Sequence, residues 1–406
     1  MCSPKSHLNP VGVSLTLGST PVPLLPSNSF PAHLAPNPLL ASSPLRPACK
    51  AKDRLLLWSP GCARFGNTPA NLAQTDIQRI YDVISHAWAD STKATYGSGL
   101  LTFHIFCDQK GVPEEDRAPA NSILLAAFIS TLAGSYSGSA VSNYLSGIKA
   151  WHTIHGLDWA LNQTETDALL KAASSLAPPS SKRAPREPYT VDTIITIRAQ
   201  LDLSIPLHAA TYACLTTLFY ATARTGEFTT RTLTSFVPGT HVKPSDVRVD
   251  HDRNGNSVTN FHLPHTKSAP GGEDVSWAKH SGPSDPAAAF DNHIKVNNPP
   301  MDGPLFAYRH KRHLRPLTKA KFLVVLNIAL KAAGSSPLQG HGIRIGSTLE
   351  YLLRNIPFEV VKVKGRWASD AFLLYLRRHA QILAPYMQAQ PNLQESFLRL
   401  TLPPVR

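Results

Sequence analysis

The chain has 406 residues and a formal charge of +13, from 40 Lys and Arg against 27 Asp and Glu. Its length suits two to three domains, and a positive excess on a chain with only 17% charged residues points to an anionic partner, most simply nucleic acid. Five cysteines (Cys2, Cys49, Cys62, Cys107, Cys214) form no C-x-x-C and no even framework, which argues for a reducing compartment and against disulfides or structural zinc. No run nears the roughly 18 apolar residues of a membrane span, and no basic segment leading into an apolar one reads as a secretory signal.

Residues 1–70 repeat proline among Ser, Asn and Leu too often for a helix or a central strand, and read as a disordered tail. Helical periodicity begins near Asn71. One helix runs to about Ala89 on Ile77, Ile80, Tyr81, Ile84 and Trp88. Asp90 or Ser91 is placed to cap the next, whose stripe is Tyr96, Leu100, Phe103 and Phe106 or Cys107. Gly111 and Pro113 end it; Pro119 opens a third helix with Leu124, Leu125, Phe128 and Leu132 inward; Val141, Tyr144, Leu145, Ile148 and Trp151 mark a fourth. The expectation is an all-α domain over 71–173. Thr92, Lys93, Thr95, Ser139, Asn143 and Lys149 lie off its apolar stripes, where small polar and basic groups can touch phosphates or simply face water. The Pro-rich basic stretch 174–188, holding Lys182, Arg183 and Arg186, reads as a linker that crosses a DNA backbone while the flanking domains clamp the duplex.

A second domain is expected over 189–400. Thr190 or Asp192 caps a helix through Leu201, and Pro206 opens a very apolar, central helix that runs into Arg224-Thr225-Gly226-Glu227. Arg224 either closes the helix end as an ion pair with Glu227, or is a guanidinium set into a site and held there by Glu227. From Val242 the period becomes two. DVRVDHD and SVTNFHLPH flank Asn254-Gly255, a type I′ hairpin signal, and EDVSWAK follows a Gly-Gly turn as a third strand. Lys267 lies in the connection between the second and third strands. Helices resume near Asp285 and Thr318, and YRHKRHLRP (308–316), with Lys311 and Arg312, reads as a basic loop or helix entry suited to phosphates. His262 with His265, and His310 with His313, have metal-like spacing but read as basic surface. In HGIRIGSTLEYLL, His341 and Arg344 share a face near a helix start, while Ile345, Leu349, Leu352 and Leu353 form the buried stripe and Arg344 lies off it. Such a pair can hold an oxyanion or a phosphate.

The phrases YATARTGEF, HTKS, HGIR and GRWASDAFLLYLRR supply, in this order, Arg224, Lys267, His341 with Arg344, and Trp367 with Tyr375. The ordered set resembles that of the tyrosine recombinases, the phage-type integrases, closest in flavour to those of eukaryotic Crypton and DIRS-type mobile elements. The segment from TKATYGSGLLTFHIFC to SGSAVSNYLSGIKAWHTIHG looks like the family's core-binding domain, so the resemblance spans about 71–390. It implies a mainly α fold with a small antiparallel β-sheet: a helical, SAM-like core-binding domain followed by an α+β DNA breaking-rejoining domain.

The resemblance also implies a chemistry. Tyr375 attacks the scissile phosphate, forming a 3′-phosphotyrosyl link and releasing a 5′-hydroxyl. Arg224 and Arg344 clamp the non-bridging oxygens, His341 donates to an oxygen or handles the tyrosine proton, Lys267 protonates the leaving 5′-oxygen, and Trp367 replaces a second His found in many relatives. It implies no metal and no cofactor, double-stranded DNA as partner, a homotetramer assembled on DNA and, for a eukaryotic element, the nucleus. The Trp-to-Tyr spacing is one residue shorter than in many bacterial and phage members, and Tyr386 is the rival nucleophile. Lys243 and Lys279 are the rivals of Lys267. The alternative function is a catalytically retired, domesticated protein that only binds DNA.

Overall fold

In the computed structural model, described for residues 37–61, 72–368, 373 and 380–382, the chain divides into two units after Ala184. It is mainly helical, with a small antiparallel sheet in the second unit. Among the described residues no helix is long and apolar enough to cross a membrane.

The first unit contains α1 (Arg54–Leu57), α2 (Gln74–Ser85), α3 (Asp90–Gln109), α4 (Ser122–Leu132), α5 (Gly138–His155) and α6 (Gln163–Ser175). The core is organised on α3 against α5. Glycines let their backbones approach closely: a Cβ on Gly99 would sit 2.6 Å from the Tyr144 Cα, and one on Gly147 2.5 Å from the Tyr96 carbonyl oxygen. Around that seam Leu100, Phe103, Phe128, Ile148 and Trp151 are buried together.

Part of the expected tail belongs to this core. Leu55 and Trp58 are buried in it, and the Trp151 indole donates to the Trp58 carbonyl at 2.7 Å. Arg46 is buried against Asp108 and Glu114, with Arg117 completing the charge cluster. Frequent proline excludes long regular elements, yet it leaves irregular chain free to anchor on single large side chains. The remainder of 1–70 lies outside the described residues. Boundaries also move. The first helix stops at Ser85 and not Ala89; Asp90 is the first residue of α3, where its charge favours the helix dipole, and not its cap; α4 opens at Ser122 and not at Pro119, capped by Asn121, which accepts from Leu124 N–H at 2.8 Å. Helix α6, capped by Asn162, extends over sequence read only as domain end and linker.

The second unit contains α7 (Val191–Ala199), capped by Thr190, then α8 (Pro206–Tyr220) and the single turn α9 (Thr225–Phe228). Every residue of 209–220 on α8 is buried, and helices pack around it, as its apolar sequence predicts. A sheet follows, in the order β1 (Val247–His251), β2 (Ser257–Leu263) and β3 (Glu273–Ala278), with Val247 opposite Phe261 and Phe261 opposite Val275. Phe261, Leu263, Val275 and Trp277 face the core. The β1–β2 turn is not type I′: Gly255 has φ of +78°, but Asn254 is not left-handed. The Asp252 carboxylate accepts from the Asn254 and Asn256 amides, each at 2.8 Å, and this local bonding selects the longer turn.

Next come α10 (Pro286–Asn297), capped by Asp285, β4 (Tyr308–His310), β5 (His313–Arg315), α11 (Lys319–Ala332), capped by Thr318, α12 (His341–Leu353) and α13 (Phe358–Lys364). The basic stretch 308–316 is thus a two-stranded hairpin and not a loop or helix entry. Lys311 and Arg312 form its tip, with Lys311 at φ of +55°. On α12 the expected stripe holds at Ile345, Leu349 and Leu352, whereas Leu353 is 42% exposed and Arg344 only 1% exposed. The helix is pinned to residues 187–189. The Tyr189 N–H donates to Gly342 at 3.0 Å, and a Cβ on Gly346 would sit 1.8 Å from the Tyr189 carbonyl oxygen.

Candidate active site

The site is assembled where α8 stops. Thr222, left-handed at φ of +52°, breaks the helix and turns the chain into Arg224, the N-cap residue of α9. Three contacts tie this turn to the start of α12. The Thr222 carbonyl accepts from Arg344 Nη1 at 2.8 Å, the Thr222 and Ser347 hydroxyls are 2.8 Å apart, and Thr225 Oγ1 donates to the Gly340 carbonyl at 3.2 Å. Residues more than a hundred positions apart in sequence thereby share one small volume.

Arg224 is partly open to solvent, and Glu227 holds it. The Glu227 carboxylate accepts from Arg224 Nη1 at 2.8 Å and from the Arg224 N–H at 2.7 Å. Of the two readings the sequence allowed, the ion pair at a helix terminus is present. Arg224 Nη1 also reaches Ser268 Oγ at 3.4 Å, on the β2–β3 connection. Lys267 lies on that connection and is exposed, between Ser268 and a buried Thr266. Its rivals stand elsewhere. Lys243 pairs with Asp246 at 3.4 Å ahead of β1, and Lys279 follows β3 at the end of the sheet away from this connection.

His341 is the first residue of α12 and is half-buried. Burial pushes its pKa down to about 4, and the charges of Arg186, Arg344, Lys319 and Arg224 add to the effect. The imidazole is therefore neutral at pH 7, at a helix N-terminus on which four cationic side chains act. That combination favours an anion. Arg186 is held by Gln339, its Nε donating to Oε1 at 2.9 Å.

Arg344 is buried. Its Nη1 donates to Thr222 and its Nη2 to the Gly365 carbonyl, and its guanidinium carbon lies 4.3 Å from the centre of the Trp367 ring. Trp367 follows α13 in a tight turn. A Cβ on Gly365 would collide with the Trp367 ring at 1.6 Å, so the -GRW- phrase needs glycine at that position. The contact of the indole with Arg344 is a cation–π one.

In the second unit Arg344 meets Trp367, the charges of Arg224 and Arg344 act on His341, and Lys267 stands next to Ser268, which Arg224 reaches. Tyr375 and Tyr386 lie outside the described residues. Of the other basic candidates, Lys93 is engaged by Asp90 at 3.1 Å, while Lys149, Lys182, Arg183, Lys311 and Arg312 are exposed. In the first unit Ser91, Thr92, Thr95, Tyr96 and Asn143 line one open groove, which gathers three of the small polar residues singled out from the sequence.

Sequence reasoning missed Lys319, Glu273 and Arg366. Lys319 is hidden behind the Thr318 cap signal. Glu273 opens a strand and has no motif. Arg366 stands immediately before Trp367, and its side chain, 9% exposed, bridges Glu227 and Glu273 at 2.7 Å each.

No family model matches the chain, and no curated protein matches it. Among solved structures it is similar to a lambda integrase fragment dimer bound to a COC′ core site, at 13% identity over 75% of this chain and 96% of that one, with a TM-score of 0.45. It is similar to XerH site-specific recombinase in a post-cleavage complex with palindromic difH substrate, at 15% identity over 79% and 84%, with a TM-score of 0.49. It is also similar to the Tn1549 transposon integrase in complex with transposon right end DNA, at 12% identity over 80% and 98%, with a TM-score of 0.42. At such distances the functional argument rests on the side chains.

Proposed function

We propose that this chain is a tyrosine-type, site-specific DNA recombinase or integrase that works through a 3′-phosphotyrosyl intermediate. The observation that carries the reading is the joining of the Thr222–Arg224 turn to the head of α12, through Arg344 Nη1 to the Thr222 carbonyl at 2.8 Å and Thr225 Oγ1 to the Gly340 carbonyl at 3.2 Å, with the charges of Arg186, Arg224, Lys319 and Arg344 acting on His341. A phosphodiester held there loses charge to guanidiniums, and this chemistry requires no metal.

In this reading the Tyr375 oxygen attacks phosphorus, and the tyrosine–phosphorus bond forms as the bond to the 5′-oxygen breaks. His341 takes the tyrosine proton. Lys267, exposed on its connection, delivers a proton to the leaving 5′-oxygen. Arg224 and Arg344 stabilise the charge gathered on the non-bridging oxygens, and Trp367 fixes the Arg344 plane. Rejoining reverses these steps with another 5′-hydroxyl. Lys149, Lys182, Arg183, Lys311 and Arg312 supply phosphate contacts along the duplex. The reading extends to a homotetramer on two DNA sites and, for a eukaryotic mobile element, to work in the nucleus.

The test offers purified protein a pool of nicked suicide duplexes with randomised cores and looks for a denaturation-resistant protein–DNA adduct. The expected result is an adduct lost in Tyr375→Phe and kept in Tyr386→Phe. The reverse pattern moves the nucleophile to Tyr386. DNA retained without any adduct favours the domesticated, binding-only alternative.

A further inference from the structure

Arg366 is not one of the cations around His341 that the recombinase reading uses, yet it is the residue on which two parts of the site converge. Its Nη2 donates to Glu227 Oε2 at 2.7 Å, and the other oxygen of that carboxylate holds Arg224 Nη1 at 2.8 Å. Its Nη1 donates to Glu273 Oε1 at 2.7 Å. That same oxygen accepts from the Thr266 hydroxyl, and from Ser268 Oγ at 3.3 Å. Thr266 and Ser268 flank Lys267. One guanidinium therefore connects the carboxylate behind Arg224 to the carboxylate that organises the Lys267 connection. The backbone of Arg366 is left-handed at φ of +59°, a conformation unfavourable for a residue with a long side chain. The surrounding contacts hold it there, one residue before Trp367.

We propose that Arg366 is a positioning residue, which through Glu227 and Glu273 sets the Arg224 guanidinium and the Lys267 connection in register on one phosphate. The consequence for strand cleavage rests on the recombinase reading; the bridge itself does not. Arginine suits the role because its planar fork serves two carboxylates from opposite edges, which a lysine point charge does less well. Glu227 records the coupling. Burial pushes its carboxyl upward, but the hydrogen bond and charge of Arg366, and then the backbone and side-chain hydrogen bonds of Arg224, outweigh burial and leave it below the ordinary range.

The experiment compares the full chain with Arg366→Gln, Arg366→Lys and Glu273→Gln. Its first arm is amide hydrogen exchange at Thr266, Ala269 and Gly272, whose N–H groups are bonded within the connection. Arg366→Gln and Glu273→Gln should speed exchange there while α8 and α12 keep their protection, and Arg366→Lys should fall between. The second arm measures adduct formation on the nicked duplex pool. Arg366→Gln should slow it about 10- to 100-fold with DNA affinity unchanged. Its acid limb should move to higher pH, because Glu227 without Arg366 protonates sooner and releases Arg224. Exchange and adduct rate both unchanged in Arg366→Gln would overturn the proposal. So would loss of protection spread evenly over the unit, which marks Arg366 as a general fold residue. If the parent chain gives no adduct, the recombinase reading fails by itself, and exchange alone decides whether Arg366 orders the connection.

Discussion

The guanidinium of Arg344 lies over the Trp367 ring, its central carbon 4.3 Å from the ring centre, while its terminal nitrogens donate to the carbonyls of Thr222 and Gly365. Helix α12, the end of α8 and the turn after α13 thus fix one plane. A lysine can neither stack as a plate nor donate along two directions at once. Arg344→Lys should therefore reduce strand cleavage by about 10²- to 10³-fold, the usual loss when one transition-state donor is removed. Equilibrium DNA binding, measured by fluorescence anisotropy at fixed salt, should stay within a few-fold. Equal loss of both would remove Arg344 from the chemistry. Trp367→Phe, which keeps an aromatic face, should cost much less cleavage than Trp367→Ala.

His341 makes a pH-dependent claim with a definite sign. Its folded-state pKa is pushed down to about 4, first by burial and then by neighbouring cations, whereas an unfolded histidine titrates near 6.5. Between these values the unfolded chain binds a proton that the folded chain refuses. Stability contributed by this residue is therefore complete above about pH 6.5 and is lost as pH falls toward 4. A bound phosphate offsets part of the cationic field and raises the ring's proton affinity. At pH 5.5, DNA binding should take up protons, seen as a dependence of binding enthalpy on buffer ionisation enthalpy, and His341→Gln should reduce the uptake. Identical uptake in the variant would place the titrating group elsewhere.

Much of this site is legible in the sequence because its parts sit at element ends, where capping and turn signals are strong. Pro206 opening α8, Thr190 as a cap, the helices resuming near Asp285 and Thr318, and the period change at β1 frame Arg224, Lys267 and His341 from residue order alone. What is not legible depends on long-range pairing. The burial of Arg344 follows from carbonyls at Thr222 and Gly365, neither of which a helical stripe contains. Periodicity sorts residues by one face of one helix, and it places Leu353 inside and Arg344 outside. The packing of Leu55 and Trp58 escapes for the related reason that composition reports regular structure, and a short irregular segment can dock with two side chains.

The β4–β5 hairpin carries Lys311 and Arg312 into solvent at its tip. On the recombinase reading, these cations are expected to meet the phosphate backbone. Each change, Lys311→Ala or Arg312→Ala, should weaken binding uniformly across DNA sequences and lower the slope of log affinity against log salt by about one. An altered sequence preference with an unchanged slope would indicate base contact. The pH behaviour of His341 should be untouched in either variant.

The last expectation concerns the seat of α12. A Cβ on Gly346 would stand 1.8 Å from the carbonyl oxygen of Tyr189, and one on Gly342 2.4 Å from that of Glu187. The atoms in the way are backbone, so a rotamer change cannot relieve them. Tyr189 is itself buried, and its N–H is bonded to Gly342, so the segment cannot retreat without losing that bond. Gly346→Ala should therefore destabilise the second unit by about 2–3 kcal/mol, as overpacking does, lowering Tm by about 5–10 °C for a unit of this size. The helix-propensity gain of alanine over glycine, about 1 kcal/mol, opposes this and is smaller. Because α12 carries His341 and Arg344, the variant should also lose cleavage below its own Tm. A Gly346→Ala protein with parental Tm would mean that the approach of Tyr189 to α12 is looser than 1.8 Å implies.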